Sequence, residues 1–235
     1  MEKVSGKVVV ITGGSGGIGA CAARVLSAKG ARIVMAARRT EQLAAIRDDI
    51  VTAGGDAVAV ECDVSKRADV GALAKVAIDT FGCIDVWVNN AAVSFGGPIS
   101  DSAIDEWERM VDVNIKGVLY GIGTVLPIME EQGFGHIINV GSSGGHKVFD
   151  PYGVYCGTKH AVRAISEGLQ TNAQRSLRVT HIASGEVHAG GTDPDESGLS
   201  TMPPQAIAKA IAFAIGQPAN IGVNEIVVRS RGAVA

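Results

Sequence analysis

The chain has 235 residues, of which 46% are hydrophobic, 19% charged and 4% aromatic, which suits one α/β domain with a large aliphatic core. Its formal net charge is −3, and it has no Lys/Arg run or aromatic-basic interleaving, which excludes nucleic acid as an expected partner. Its four cysteines have neither metal-ligand spacing nor a CxxC pair, and no signal peptide or membrane-spanning apolar stretch is evident, so we expect a cytoplasmic protein with free thiols and no metal site.

Short β-branched runs alternate with longer helical patterns from one end of the chain to the other. Seven runs are predicted strands: Val8–Thr12, Arg32–Ala36, Ala57–Glu61, Val86–Asn89, His136–Val140, Val179–Ala183 and Asn224–Val228. Such alternation implies parallel strands joined by right-handed crossovers. The sequence therefore predicts an α/β fold, with a doubly wound, parallel, seven-stranded sheet of the Rossmann type and helices on both faces. No composition break or repeat divides the chain, so we expect a single domain over residues 1–235.

Helix starts are marked by residues that cap helices. Thr40 and Ser65 are the predicted N-caps of two helices, the second of which ends at Phe81. Asp150 and Pro151 combine an acceptor side chain with a proline in the first turn, which predicts a further helix start at this point.

One polar stretch, residues 189–204, is rich in Gly, Asp, Glu, Ser and Pro and follows the sixth predicted strand. It therefore lies at the sheet edge where ligands bind in doubly wound folds. We predict a mobile flap over a substrate pocket, and an exposed connector is the alternative interpretation.

A glycine-rich turn, Thr12–Gly19, lies between the first predicted strand and the first predicted helix. Glycines permit a tight turn and let backbone N–H groups approach a pyrophosphate, whose negative charge the helix N-terminus also favours. A flexible amino-terminal loop is the alternative. The predicted contacts of this turn with a dinucleotide are Gly13, Ser15, Gly17, Ile18 and Gly19.

Tyr155 and Lys159 lie four residues apart on a predicted helix and therefore project from one face of it. A phenol has an unperturbed pKa of about 10, and a neighbouring ammonium lowers it. Such a tyrosine becomes a usable general acid or base near neutral pH. Because this spacing also occurs by chance on amphipathic helices, it gains meaning only from the other motifs.

Those motifs together resemble the short-chain dehydrogenase/reductase family over nearly the whole chain. Gly13-x-x-x-Gly17-x-Gly19 is similar to the TGxxxGxG motif of that family, and residues 89–92 are similar to its NNAG motif, with Ala92 in place of glycine. The order and spacing of four further positions, 28 residues from the first to the second and 13 from the second to the third, match its catalytic tetrad: Asn114, Ser142, Tyr155 and Lys159.

The resemblance implies a role for each tetrad member. The Ser142 hydroxyl would bond the substrate carbonyl oxygen, and Tyr155 would donate a proton to it while the reduced cofactor delivers hydride. Lys159 would lower the pKa of Tyr155 and hold the nicotinamide ribose, and Asn114 would fix a water molecule. Further cofactor contacts that the resemblance implies are Asp63, Val64, Asn90, Ala91, Tyr155, Lys159, Gly185 and Val187.

The end of the second strand indicates the form of the cofactor. Members of the family that use NAD carry an acidic residue where this chain has Ala37. Arg38 and Arg39 follow, and a guanidinium can grip a 2′-phosphate through two charge-assisted hydrogen bonds. We therefore predict NADP(H) as the cofactor and these two arginines as contacts, with a solvated arginine pair as the alternative.

The sequence as a whole predicts an NADP(H)-dependent oxidoreductase that interconverts a carbonyl compound and its alcohol, as a carbonyl reductase or alcohol dehydrogenase. A non-catalytic NADP(H)-binding regulatory protein is the alternative. An extended epimerase or dehydratase is disfavoured because the roughly fifty residues after Val187 are too few for its substrate domain. We expect a small-molecule substrate and, by resemblance, a homotetramer or homodimer.

Overall fold

A computed structural model describes residues 4–172, 177–187 and 201–231. Seven parallel strands form one sheet in the order β3-β2-β1-β4-β5-β6-β7. This order reverses direction between β1 and β4, which is the topological switch point of a doubly wound fold. The strands are β1 Val8–Thr12, β2 Arg32–Ala37, β3 Ala57–Glu61, β4 Val86–Asn89, β5 Gly135–Val140, β6 Leu177–Ser184 and β7 Glu225–Val228. The predicted single-domain α/β sheet is confirmed.

Helices cover both faces of this sheet. They are α1 Gly17–Ser27, α2 Thr40–Thr52, α3 Arg67–Phe81, α4 Ile104–Met110, α5 Gly117–Gln132, α6 Gly153–Asn172 and α7 Pro204–Ile215, with a π-helical segment Val111–Lys116 between α4 and α5. Alternate strand residues point to opposite sides. Thus Val9 and Ile11 pack under α1, α2 and α7 in one buried cluster, whereas Val10 and Trp87 pack with α3, α5 and α6 in the other.

Helix starts differ from the sequence-based prediction by one or two residues. Arg39, not Thr40, accepts the first bond of α2, from the backbone N–H of Leu43. Ser65 does not cap α3, because its hydroxyl donates to Asp63 Oδ1 at 2.7 Å; the cap residue is Lys66.

The helix predicted to start at Asp150-Pro151 begins at Gly153 instead. The backbone N–H of Tyr152 is engaged in a turn with the carbonyl of Phe149 at 2.7 Å. The first helical bond therefore runs from the Cys156 N–H to the Tyr152 carbonyl. Most of the predicted flap, residues 189–200, lies outside the described residues, while Met202 pairs with Val187 in an isolated bridge.

Helices α4 and α5 and the π-helical segment form one continuous helix, Ile104–Gln132, of 29 residues, which contains an 18-residue window with a mean hydropathy of 1.2. Its length and apolarity would also suit a membrane span, contrary to our expectation that no such stretch exists. Packing on the sheet accounts for the apolar residues: Val113, Val118, Ile122, Val125 and Met129 are buried in the core.

The close approach of this helix to the sheet makes Gly121 sensitive to substitution. A Cβ on Gly121 would lie 2.2 Å from Asn89 Oδ1 and 2.7 Å from Trp87 Nε1, whereas one on Gly123 would meet nothing within 4 Å. We expect Gly121→Ala to lower the free energy of unfolding by about 1–3 kcal/mol through overpacking. Gly123→Ala, the matched control, should raise it by up to about 1 kcal/mol through helix propensity. Urea unfolding monitored by circular dichroism measures both, and equal effects would contradict the packing interpretation.

Candidate active site

Two loops meet at the switch point between β1 and β4. The Asn90 side chain donates from Nδ2 to the carbonyls of Thr12 and Gly13 at 2.8 and 3.3 Å. In return, the Thr12 hydroxyl accepts from the backbone N–H groups of Asn90 and Ala91 at 3.0 and 3.1 Å. The glycine-rich turn and the loop after β4 are therefore fastened into one rim.

The glycines of this rim are required by contact distances. Gly13 has a φ of +69°, and a Cβ there would lie 2.8 Å from Ala91 Cα. A Cβ on Gly19 would lie 2.3 Å from the Gly13 carbonyl oxygen. Both clashes are with backbone, so neither can be relieved by a side-chain rotation. The exposed N-terminus of α1 is thus left open to a phosphate group.

A cavity of about 540 Å³ lies along this rim, within the size range of small-molecule and cofactor sites. Its walls are Gly13, Ser15, Gly16, Ile18, Ala37, Arg38, Arg39, Cys62, Asp63, Val64, Asn90, Ala91, Ala92, Val93, Arg109 and Val113. Of the predicted cofactor contacts, six do not line it: Gly17, Gly19, Gly185, Val187, Tyr155 and Lys159. The glycines of the turn and the arginine side chains of the cavity wall suit the phosphate groups of a dinucleotide.

The two arginines after β2 have different surroundings. Arg39 donates from Nε to the Ser15 hydroxyl at 3.2 Å and from Nη2 to the Ser15 carbonyl at 3.4 Å. Its guanidinium lies over Gly16, where a Cβ would approach Nη2 to 2.9 Å. Arg38 lines the cavity and forms no hydrogen bond or ion pair with the described residues. Arg39 therefore stabilises the glycine-rich turn through Ser15, while the guanidinium donors of Arg38 remain available to a ligand.

Arg109 is a cavity residue that sequence reasoning missed. It donates to the Ser65 hydroxyl at 3.2 Å and forms an ion pair with Asp63 at 3.4 Å. Burial acts to raise the pKa of Asp63, but hydrogen bonds from Ser65 and the Arg109 guanidinium outweigh it and hold that pKa below its ordinary value. Asp63 is therefore an acceptor-only carboxylate. No spacing pattern links α4 to β3, so only the folded contact reveals Arg109.

Asn114 lies buried in the π-helical segment, a distortion often found at functional sites. Its Oδ1 accepts from the Val93 N–H at 2.9 Å, and its Nδ2 donates to the Val93 carbonyl at 2.8 Å. Nδ2 also donates to Thr158 Oγ1 at 3.1 Å, and the Thr158 hydroxyl in turn donates to the Tyr155 carbonyl at 2.7 Å. Asn114 thus ties the loop after β4 to the helix that carries Tyr155.

The remaining tetrad members meet at the carboxyl end of β5. The Ser142 hydroxyl accepts from the Gly144 N–H at 3.0 Å. Both this hydroxyl and the edge of the Tyr155 ring lie beside Gly144, where a Cβ would be 3.4 Å from Ser142 Oγ and 3.5 Å from Tyr155 Cε1. The Tyr155 ring lies edge-on to Tyr152, with centroids 6.4 Å apart. The structure therefore places the predicted serine and tyrosine next to each other, beside Gly144.

Lys159 lies beneath this pair and is only 4% exposed. Its Nζ donates to the Val140 carbonyl at 3.2 Å and lies 5.7 Å from the centroid of the Tyr155 ring. Burial disfavours the ammonium and lowers the pKa of Lys159 to about 8.

The expected lowering of the Tyr155 pKa by Lys159 is wrong for this structure. Burial raises the pKa of Tyr155 above its ordinary value, and the hydrogen bond with Ser142 opposes this only in part. Because the Lys159 amine is directed at a backbone carbonyl and is itself desolvated, its field does not offset the burial of the phenol. Tyr155 is accordingly held in its protonated form at neutral pH.

Comparison with known proteins agrees with this arrangement. A family model described as "short chain dehydrogenase" matches residues 7–198. An uncharacterized oxidoreductase of Staphylococcus saprophyticus is 44% identical to this chain over 97% of this chain and 98% of its own length.

Solved structures show the same backbone. An alcohol dehydrogenase from the archaeon Thermococcus sibiricus, complexed with 5-hydroxy-NADP, matches with a TM-score of 0.90 and 28% identity, over 97% of this chain and 98% of that chain. A short-chain dehydrogenase/reductase from Burkholderia phymatum, in complex with NAD, matches with a TM-score of 0.87 and 28% identity, over 97% and 90% respectively. Similar structures thus include complexes with both forms of nicotinamide dinucleotide.

The buried amine of Lys159 should reduce the stability of the fold. The unfolded chain keeps this proton up to a pKa of 10.5, the folded chain only to about 8. The resulting destabilisation, about 3 kcal/mol, is therefore fully present below pH 8. It disappears as the pH rises from about 8 to 10.5. Lys159→Met removes this destabilisation but leaves the Val140 carbonyl without its donor, which offsets part of the gain. We therefore expect the variant to have a free energy of unfolding at pH 7 about 1–3 kcal/mol higher than the wild type.

Urea unfolding of both proteins from pH 7 to pH 10 tests this prediction. The advantage of the methionine variant should shrink across the series. Lys209→Met, on the exposed face of α7, is the control and should change stability by no more than about 0.5 kcal/mol. A Lys159→Met protein less stable than the wild type at pH 7 would contradict the burial argument.

Proposed function

Because this chain belongs to the short-chain dehydrogenase family, we propose that it is an NADP(H)-dependent oxidoreductase that interconverts a small carbonyl compound and its alcohol. One observation carries the proposal most directly: Ser142 and Tyr155 lie side by side at Gly144, and the amine of the buried Lys159 lies 5.7 Å from the centroid of the Tyr155 ring. This arrangement is suited to proton transfer at a substrate oxygen.

The reduced nicotinamide, when bound, supplies the hydride, and the protein supplies orientation and a proton. The glycine rim and the N-terminus of α1 would hold the pyrophosphate, and Asp63 would accept a hydrogen bond from the adenine amine. Ser142 would position the substrate oxygen within reach of Tyr155. The raised pKa of Tyr155 keeps its proton in place for donation, which supports carbonyl reduction near neutral pH.

Lys159 and Asn114 act behind the reacting atoms. With a pKa lowered to about 8, the Lys159 amine can exchange protons near physiological pH and return one to the phenol after each turnover. The Asn114 side chain is occupied by Val93 and Thr158, so we assign it a positioning role. It holds the tetrad helix in register with the loop after β4.

NADP(H) is proposed over NAD(H) on the charge at the end of β2. Ala37 lines the cavity where an acidic side chain would repel a 2′-phosphate, and Arg38 offers its guanidinium there. Arg39 is committed to Ser15, so Arg38 is the principal candidate for the phosphate contact.

A cytoplasmic homo-oligomer, tetramer or dimer, completes the proposal. The exposed large hydrophobic side chains include Leu119 on α5, Phe213 on α7 and Val227 on the edge strand β7, at 45%, 50% and 47% exposure. Apolar groups at such positions support burial against further copies of the chain.

The first test is removal of the phenolic hydroxyl. We expect Tyr155→Phe to lower kcat for NADPH-dependent reduction of a ketone and aldehyde panel by at least about 100-fold, because the proton donor is lost. NADPH affinity, measured by fluorescence titration, should change little. Tyr152→Phe is the matched control and should keep most of the activity. Tight NADPH binding with no turnover of any substrate by the wild type would instead favour the non-catalytic regulator.

The second test separates the two arginines. We expect Arg38→Gln to raise KM for NADPH by about 10–150-fold, since charge-assisted hydrogen bonds contribute about 1.5–3 kcal/mol, and to leave KM for NADH nearly unchanged. Arg39→Gln should weaken both cofactors to a similar degree, because Arg39 braces the shared phosphate turn. Steady-state kinetics with both cofactors measure the ratio, and an unchanged NADPH-to-NADH preference in Arg38→Gln would refute the assignment.

A further inference from the structure

Three side chains outside the tetrad join the last two strands to the loop that follows Ser142. His181 on β6 lies opposite Glu225 on β7 in the strand register. His146 follows the short 3-10 turn Ser143–Gly145. Each of the three offers one ligand atom, and these atoms lie within 4.8 Å of one another.

The separations within this cluster match those around a bound zinc ion. Glu225 Oε1 lies 3.0 Å from His181 Nδ1 and 3.2 Å from His146 Nε2. Zinc bonds of about 2.0–2.1 Å at a tetrahedral angle place ligand atoms about 3.3 Å apart. The observed distances are therefore close to two edges of such a tetrahedron, and imidazole and carboxylate are both ligands that zinc accepts.

Hydrogen bonding alone explains only part of the cluster. His181 Nδ1 is hydrogen-bonded to Glu225. His146 Nε2 is buried and lies 3.2 Å from the same carboxylate, but it does not form a hydrogen bond of acceptable geometry with it or with any other residue that the structure describes. A buried ring nitrogen without a partner is unfavourable. Coordination of a cation through its lone pair would remove that penalty.

Arg163 is the competing cation at this site. Its Nε lies 3.3 Å from the same oxygen, Glu225 Oε1. The Arg163 side chain is 40% exposed and the Glu225 side chain 33% exposed, so the arginine can turn into solvent and leave a path for an ion. A metal ion and Arg163 would then exclude one another at this oxygen.

We propose that His146, His181 and Glu225 bind Zn²⁺ at a site outside the tetrad, with water as the fourth ligand. The ion would fix the serine loop to β6 and β7. His181 already packs against the backbone that leads into the loop, since a Cβ on Gly141 would lie 2.0 Å from His181 Nε2. The site revises our expectation of no metal, which rested on sequence spacing, because its ligands come from three separate segments.

The test uses Co²⁺ and Zn²⁺ alone, added to chelator-treated full-length protein. The proposal predicts saturable one-to-one Co²⁺ binding, with strong visible absorption of a tetrahedral nitrogen and oxygen site and without a thiolate charge-transfer band. Zn²⁺ should displace the Co²⁺ and raise the melting temperature of the protein. A thiolate band would assign the metal to the free cysteines and overturn the proposal, as would the absence of one-to-one binding.

Matched variants locate the site. His146→Ala, on a partly exposed loop, should weaken Zn²⁺ binding by more than the roughly 10–100-fold that loss of an outer-shell partner costs, and should abolish the zinc-dependent rise in melting temperature. His160→Ala, an exposed histidine on α6 outside the cluster, should leave both unchanged. Arg163→Ala should tighten binding several-fold by removing the competitor. Circular dichroism confirms that each variant is folded.

Two results would refute the assignment. One is a His146→Ala protein that keeps Zn²⁺ affinity within about twofold of the wild type. The other is an Arg163→Ala protein whose Zn²⁺ affinity is unchanged or weaker, which would mean that the metal ion and Arg163 do not compete for Glu225.

Discussion

The burial of the Lys159 amine is the constraint around which the catalytic end of the molecule is arranged. A charged group in this position requires a fixed acceptor, and the carbonyl of Val140 at the end of β5 provides it at 3.2 Å. The same low-polarity surroundings act in opposite directions on the two functional groups. They lower the pKa of the amine and raise that of the Tyr155 phenol, because burial penalises whichever form is charged. The sheet, with apolar clusters on both faces, supplies the stability that tolerates this arrangement.

Most of the fold could be predicted from the sequence, because strands buried on both faces must be continuous β-branched runs. Val8–Thr12 and Val86–Asn89 are such runs, and the structure places them side by side in the sheet. Helix starts were less predictable because capping residues have alternative partners. The Ser65 hydroxyl donates to Asp63. The Tyr152 N–H bonds to the Phe149 carbonyl, so the helix predicted to start at Asp150 and Pro151 begins later. Strands are predictable because their pattern involves many residues, whereas the start of a helix depends on which partner a single capping group bonds.

The candidate site shows the same division. The four tetrad positions were assigned from the resemblance to a known family. Helix periodicity alone predicts only that Tyr155 and Lys159 share a helix face. The direction of the Tyr155 pKa could not be predicted, because it depends on solvent exclusion by distant elements. Arg109 and Thr158 were also beyond reach, as each acts through a partner on another segment. The different environments of Arg38 and Arg39, adjacent in sequence, are likewise visible only in the fold.

The π-helical segment between α4 and α5 has a consequence for how the two ends of the site stay aligned. A widened turn holds one residue more than an α-helical turn, and each residue corresponds to a rotation of about 100°. Arg109 faces Asp63 upstream of this segment, and Asn114 faces Thr158 within it. Loss of a single residue from 111–116 would rotate one of these side chains away from its partner while leaving the helix intact. The length of this segment therefore fixes the rotation of Arg109 relative to Asn114 about the helix axis. Insertions or deletions there would be far more disruptive than substitutions.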